Sequence, residues 1–206
     1  MDKKKIVLIG AGGHARSCIQ VIEQLDEFAI AGMVGLPDEV GSEQFGYKVI
    51  GSDSDLPAIR KSIEYAFITV GQILSAQIRI KLFEKTKNAG FTLPAIVSKF
   101  AQISPHVIIG EGSILMNSVT INSGSQIGKN CIINTCALLE HDVVIGDHTH
   151  VSTGVIINGA TCIGQKTFIG SGSVIRNGIS IGDNCLIGMG SVVSKDLKDH
   201  TRMIGN

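Results

Sequence analysis

From position 103 onward the apolar residues follow a strict six-residue rhythm. Ile103, Ile109, Leu115, Ile121, Ile127, Ile133, Leu139 and Ile145 continue through Val151, Ile157, Ile163, Ile169, Ile175, Ile181 and Ile187 to Val193. All sixteen positions hold Ile, Leu or Val, although these types make up only 59 of the 206 residues. Six matches neither the 3.6-residue period of a helix nor the two-residue period of a half-buried strand. It matches a chain that turns a corner every six residues, three hexads closing one triangular turn with the aliphatic side chains inside. At roughly 4.8 Å per layer the prism is about 25 Å tall. Glycine follows the aliphatic residue at 110, 128, 146, 164, 170, 182 and 188, and Asn122, Asn134 and Asn158 take that place in three more hexads. Both residue types tolerate the left-handed backbone expected of a corner. The fifth place is mostly small or β-branched, as at Ser113, Ser125, Cys131, Thr161 and Thr167. The phase never slips, so no loop interrupts the coil. The charged stretch 194–202 is expected to cap the open end as a short helix, because an uncovered last turn is a sheet edge.

The first hundred residues read differently. Strand-like runs at 5–9, 28–34, 47–50 and 66–70 alternate with helix-like stretches at 15–25, from Asp53/Ser54 to Ile63, and at 74–89. Such alternation predicts a small, Rossmann-like parallel α/β domain. Phe91-Thr92-Leu93-Pro94 and Ser104-Pro105 read as the connection out of it. The expected organisation is therefore an α/β domain over 1–95 and an all-β, left-handed parallel β-helix of hexapeptide repeats over 96–206.

Composition narrows the function. The chain carries 18 basic and 18 acidic residues, which argues against a partner in nucleic acid, because that affinity rests on Lys and Arg neutralising phosphates. No apolar stretch reaches the roughly 18 residues of a membrane span. The basic start is followed by only four apolar residues, at 6–9, too few for a secretory signal, so the cytoplasm is the expected compartment. Five cysteines without a CxxC pair fit reduced structural thiols, with no metal site. Aromatic residues make up only 4% of the chain, as a narrow prism interior requires.

Gly10-Ala11-Gly12-Gly13-His14-Ala15 follows a strand and opens a helix, the setting in which backbone approaches a phosphate. A dinucleotide site would also want an acidic residue at the end of the second strand. Met33-Val34-Gly35-Leu36 has none there, and Asp38 and Glu39 come slightly later.

Together, the GAGGHA turn, the uninterrupted coil and the segment Leu139-Glu140-His141-Asp142-Val143-Val144-Ile145-Gly146 resemble the bacterial sialic acid O-acetyltransferase and nucleotide-aminosugar N-acetyltransferase family, hexapeptide-repeat acyltransferases with a Rossmann-like N-terminal domain. The likeness covers essentially the whole chain. It implies acetyl-CoA as co-substrate, with no metal needed. Acetyl transfer needs a base for the attacking group, and the resemblance assigns that role to His141. Asp142 matches the carboxylate that raises the base's proton affinity. Neighbouring strand residues point opposite ways, so their contact requires a bend. His150 is implied to bind the thioester end of acetyl-CoA, in preference to His148, with Gly170, Ser171, Gly188 and Met189 as further cofactor contacts. Lys166, Arg176 and Lys195 are candidates for the cofactor's phosphates, whereas His106 and His200 read as surface. Gly12, Gly13, His14 and Gly71 are implied to bind the acceptor. Where this chain has Gly35 and Leu36 the family often has acidic residues, which leaves open whether Asp38 or Glu39 replaces them. The chain stops at Ile204-Gly205-Asn206, where relatives often continue with Pro and a basic residue, which leaves open whether this end is truncated.

The resemblance implies N-acetylation of a UDP- or GDP-linked amino-deoxysugar for surface glycans, by direct transfer in a ternary complex. O-acetylation of a sialic-acid-like nonulosonate and a non-catalytic trimeric scaffold are the alternatives, and a dehydrogenase built on the glycine turn is more distant. A homotrimer with shared active sites is expected, because one flat prism face needs a second wall to enclose a ligand. Ile108, Ile114, Ile132, Leu138, Val144 and Ile156, off the inward phase, are candidates for packing between copies.

Overall fold

The computed structural model describes residues 3–204. Met1, Asp2, Gly205 and Asn206, and with them the expectation about the chain's end, lie outside the described residues. The chain divides into two units: the first runs up to Gly71 and resumes over Gln77–Ile96, and the second takes Gln72–Ala76 and everything from Val97. No helix among the described residues is long and apolar enough to cross a membrane.

The first unit contains β1 (Lys4–Ile9), α1 (Gly13–Glu23), β2 (Phe28–Gly35), β3 (Glu43–Gln44), β4 (Tyr47–Ser52), α2 (Leu56–Ile59), β5 (Tyr65–Ile68) and α3 (Gln77–Asn88). Its sheet runs β3-β4-β2-β1-β5, parallel except for the β3–β4 hairpin. Val7 and Ile9 share a core with Leu56, Phe83, Phe91 and Leu93, while Ile6 and Leu8 are equally buried on the opposite face. A strand covered on both sides reads as a continuous apolar run, and residues 6–9 are such a run.

Three expectations for this region need correction. The helix expected from Asp53 to Ile63 is a 3-10 turn, Asp53–Asp55, followed by the single helical turn of α2. Asp55 accepts the Ser52 N–H at 2.8 Å, which fixes the tight start, and the chain must re-enter β5 only six residues after Ile59. Helix α3 begins at Gln77, not Leu74, and Ile73 and Leu74 are exposed instead of lining a core face. Phe91 and Leu93 are core residues, and Thr92 exchanges backbone hydrogen bonds with the β5 region (Ala66 N–H to Thr92 O, 3.0 Å), so this stretch is no linker.

In the second unit, two-residue strands stack into three parallel sheets, each strand pairing with the one eighteen residues on: Thr120 with Leu138, Gln126 with Val144, Ile132 with His150. This is a left-handed β-helix. From Leu115 to Val193 all fourteen in-phase aliphatic residues are buried to 3% exposure or less; Ile103 and Ile109, in the first turn, are half-buried. The coil already begins with Ile96–Val97, and Ser104-Pro105 belongs to a corner of it, before His106 at φ 73°, and not to a connection.

The glycines following the aliphatic residues have ordinary φ; the left-handed residues come two places later, at Gly112, Ser118, Gly124, Asn130, Cys136, Asp142 and so on up the coil. Glycine is needed for a different reason. A Cβ on Gly146 would lie 2.5 Å from Gln165 N in the next layer, so adjacent turns stack backbone on backbone. The fifth-place residues also point inward. Thr167 donates its hydroxyl hydrogen to Gly182 O at 2.9 Å and accepts the Cys185 N–H at 3.0 Å, and Ser113 and Ser125 bridge layers in the same way. These hydroxyls satisfy corner N–H groups that have no strand partner.

The expected C-terminal helix is absent from the described residues. Leu197 bridges to Ile181, and Arg202–Met203 pairs with Leu186–Ile187, sixteen residues back instead of eighteen. The charged stretch continues the coil as a shortened turn, because that arrangement pairs the edge backbone directly (Leu186 N–H to Thr201 O, 2.9 Å).

Candidate active site

Three faces bound the prism. The first carries Leu138–Leu139 and Ile156–Ile157, the second Val144–Ile145 and Cys162–Ile163, and the third His150–Val151 and Phe168–Ile169. His141 and Asp142 form a corner between the first and second faces, with side chains 65% and 66% exposed. His141 Nδ1 lies 2.9 Å from Asp142 Oδ2. Adjacent side chains meet because Asp142 has φ 58°, the left-handed corner conformation, which supplies the bend that the contact requires. A carboxylate only accepts, so Nδ1 carries the hydrogen, and in the neutral ring Nε2 then keeps its lone pair. The Asp142 carboxylate lies over the bare Gly124 of the layer below, and the imidazole over the bare Gly159 of the layer above. Glu140 is engaged elsewhere, accepting from Asn122 Nδ2 at 2.8 Å.

His150 lies on the third face and is only 6% exposed. Its Nδ1–H donates to Gln72 O at 2.6 Å, Asn134 Nδ2 approaches Nε2 at 3.4 Å, and Phe168 meets the ring edge-on at 5.2 Å. Gln72 also donates to His148 O at 2.8 Å, so residue 72 holds the third face from both sides of Thr149. This role has no sequence signal, because Gln72 lies in an aperiodic stretch.

Ser171 and Met189 occupy the corner between the third and first faces, eighteen residues and one layer apart, with Met189 82% exposed. Ser171 Oγ meets Ser152 Oγ at 2.8 Å. Gly170 and Gly188 precede this corner, and a Cβ on Gly170 would lie 2.5 Å from Met189 N. The structure thus joins His141 to Asp142, and groups Gly170, Ser171, Gly188 and Met189, but the width of the first face separates the two groups. Lys166 lies at a different corner from Arg176 and Lys195; Arg176 reaches Ser194 O, next to Lys195, at 3.3 Å.

In the first unit a cavity of about 660 Å³ opens beside the glycine turn, lined by Gly10, Ala11 and Gly12, by Gly35, Leu36 and Glu39, by Ser52, Asp53 and Ser54, and by Ile78, Lys81 and Lys85. A Cβ on Gly10 (φ 113°) would lie 2.5 Å from Val70, so the turn closes tightly where β1 and β5 end. Of the residues expected to bind the acceptor, Gly12 lines the cavity and Gly13, His14 and Gly71 do not; Gly71 lies against His14 instead. Glu39 lines it and Asp38 does not. Glu39 accepts the Leu36 N–H at 2.7 Å and fills the space over Gly35, which puts a carboxylate back at the end of β2. Lys81 and Lys85 were missed. With Ile78 and Leu82 they form one stripe of α3, and that spacing is their sequence signal.

A layered coil bearing a carboxylate-backed imidazole, together with a glycine-turn α/β unit, defines a hexapeptide-repeat acyltransferase. Residues 5–86 match the PglD N-terminal domain family and residues 161–195 the hexapeptide repeat of succinyl-transferase. A perosamine N-acetyltransferase from Caulobacter crescentus, solved with CoA and GDP-perosamine, is 33% identical over 98% of this chain and 93% of its own, with a TM-score of 0.91. The acetyltransferase domain of PglB from Neisseria gonorrhoeae, solved with acetyl coenzyme A, is 30% identical over 100% of this chain and 98% of its own, with a TM-score of 0.89. Uncharacterized protein L142 of Acanthamoeba polyphaga mimivirus is 36% identical over 60% of this chain; the match spans only 23% of that longer protein. The chain belongs to the family of hexapeptide-repeat acetyltransferases with a PglD-type N-terminal domain.

Proposed function

We propose that this protein transfers the acetyl group of acetyl-CoA to the amino group of a UDP- or GDP-linked amino-deoxysugar, with His141 as general base. The observation that carries the reading is the contact of His141 Nδ1 with Asp142, which leaves Nε2 as a proton acceptor at an exposed corner. Nε2 takes the proton from the amine as its nitrogen attacks the thioester carbonyl, and Asp142 stabilises the imidazolium. The C–N bond forms, the C–S bond breaks, and the proton passes from Nε2 to the departing thiolate. The Caulobacter relative, solved with CoA and GDP-perosamine, supports both substrates.

Gly170, Ser171, Gly188 and Met189 form the wall along which the cofactor lies: Ser171 offers a hydroxyl, Met189 an exposed apolar arm, and the bare glycines let backbone approach. His150 contributes to this wall from the third face. The acceptor's nucleotide occupies the first unit near Gly12, Gly13, His14 and Gly71. A homotrimer completes the site, setting one chain's His141 corner against the neighbour's Ser171 corner. Among the apolar candidates for the interface, Ile114 and Ile132 are already fully buried within one chain, which removes them. Leu138 and Ile156 remain, and with the half-buried Val174 and the exposed Val192 they are a continuous stripe on the first face, while Ile108 and Val144 are exposed on the second. In this reading the enzyme works in the cytoplasm, in surface-glycan synthesis.

Acetyl-CoA consumption against UDP- and GDP-aminosugars and nonulosonates tests the assignment. Turnover with an aminosugar is expected, and His141→Ala is expected to lower kcat by roughly 10²–10⁴. Turnover on nonulosonates alone makes the protein an O-acetyltransferase, and turnover on neither class favours a scaffold. His150→Ala is expected to raise KM for acetyl-CoA more than it lowers kcat. Mixing His141→Ala chains with Ser171→Trp chains is expected to restore part of the activity; a fully active monomer in sedimentation refutes the shared site.

A further inference from the structure

The geometry points to Gly159 as a positioning residue that sets the imidazole of His141, an inference that rests on the reading of His141 as base. A Cβ built on Gly159 would lie 2.6 Å from Nε2, 2.8 Å from Cε1 and 3.0 Å from Cδ2 of His141, and these three ring atoms are its nearest neighbours. The ring therefore occupies the place where any other residue at 159 would carry its side chain. Nothing in the backbone requires glycine here, because Gly159 does not have a left-handed φ. The next residue does have one: Ala160, at φ 55°, sits where six corners place glycine (Gly112, Gly124, Gly154, Gly172, Gly178 and Gly190) and others place Ser118, Asn130 or Cys136. Local backbone preference favours the order Ala-Gly, since glycine adopts the left-handed conformation at no steric cost and alanine does not. The chain has Gly-Ala, the reverse. The glycine stands where the ring needs space, and the alanine accepts the unfavourable backbone.

The atoms nearest a Cβ at 159 belong to the ring of an exposed side chain and not to backbone, so the ring moves while the fold is kept. Displacement turns Nδ1 away from Asp142 Oδ2, and the two neutral tautomers then lose the bias that keeps the lone pair on Nε2. Gly124 lies beneath Asp142 in a comparable way, but its φ of 79° makes any substitution there strain the backbone as well.

The test uses the full chain carrying Gly159→Ala together with Ala160→Gly, a swap that keeps composition and relieves the left-handed alanine. Its melting temperature is expected at or above that of the native protein. Long-range proton–nitrogen correlation on histidine-labelled protein, with the His141 signals assigned from His141→Ala, is expected to show the Nδ1–H tautomer in the native chain and a mixture in the swap. The swap is expected to lower kcat by about 10- to 100-fold, the cost of misplacing a reacting group by about an ångström, with KM for the aminosugar little changed. An unchanged kcat overturns the inference. So does a lower kcat with an unchanged tautomer signature, because the new methyl then obstructs the acceptor and leaves the ring in place. If His141→Ala leaves turnover intact, the base assignment falls, while the tautomer signature still decides whether Gly159 sets the ring.

Discussion

In β1, residues 6–9 are all buried, whereas in the coil the inward residues are the first and fifth of each hexad, as Leu139, Val143 and Ile145 illustrate. The α/β unit fills its core with rings from distant parts of the chain, among them Phe67, Phe83 and Phe91. The coil fills its own with Ile, Leu, Val and hydroxyl-bearing residues that repeat every eighteen positions. Two sets of glycines show the same contrast. A Cβ on Gly12 or Gly13 meets nothing within 4 Å, while one on Gly146, Gly164 or Gly170 runs into backbone of the adjacent layer. The open pair belongs to a turn that leaves room for a ligand. The crowded set belongs to a stack whose layers touch.

Core truncation is expected to have the largest effect and to hit both regions. Leu139→Ala in the coil should cost about 2–5 kcal/mol and Phe67→Ala in the sheet about 3–5 kcal/mol, read by chemical denaturation. A Leu139 variant near native stability breaks the comparison, because it means that the prism collapses around a hole that the sheet cannot close. Glycine substitutions sharpen it. Gly146→Ala is expected to lose about 1–3 kcal/mol through overpacking, whereas Gly12→Ala stays within about 0.5 kcal/mol and instead raises KM for the nucleotide-sugar. Equal effects at both sites would mean that layer contact is not what selects glycine in the coil. The smallest effect is electrostatic and confined to the α/β unit. The Ser52 backbone N–H, and then its hydroxyl, hold the Asp55 carboxyl below its ordinary value. That contribution is present above the unfolded pKa and is lost as pH falls through the folded one. Asp55→Asn should flatten the acid loss of stability in denaturation midpoints taken from pH 7 downward.

The coil was legible down to individual layers because its period is local: six residues of sequence specify one side of the prism, and the next eighteen repeat the answer. Where reading failed in the coil, the competing effect was contact between layers. The glycines at 110, 128 and 146 read in the sequence as left-handed positions, yet stacking selects them, and the left-handed residue can be Ser118, Asn130 or Cys136. In the α/β unit the main strands and two of the three helices are legible, but their ends and the short strand β3 are not. Leu74 reads as the first apolar residue of a helix, yet it is exposed, and Gln72–Ala76 group with the coil. His141 and Asp142 were legible as a pair because they are adjacent. Glu39 at the end of β2 and Lys81 and Lys85 on α3 reach one cavity from different elements, which no single stretch of sequence displays.

By itself the sequence determined the coil, its narrow aliphatic interior and the imidazole–carboxylate corner, because each is encoded within a few consecutive residues. Only the tertiary structure decided which side chains share a face and which stand on separate corners. His141 and Ser171 are thirty residues apart, and His150 lies between them in sequence. In space the imidazole, the buried His150 and the Ser171 corner take three different positions around the prism, because each six-residue step rotates the chain to the next side. The cradle of Gly124 and Gly159 appears only when layers eighteen residues apart are stacked, and stacking, not sequence proximity, places a bare backbone against the ring.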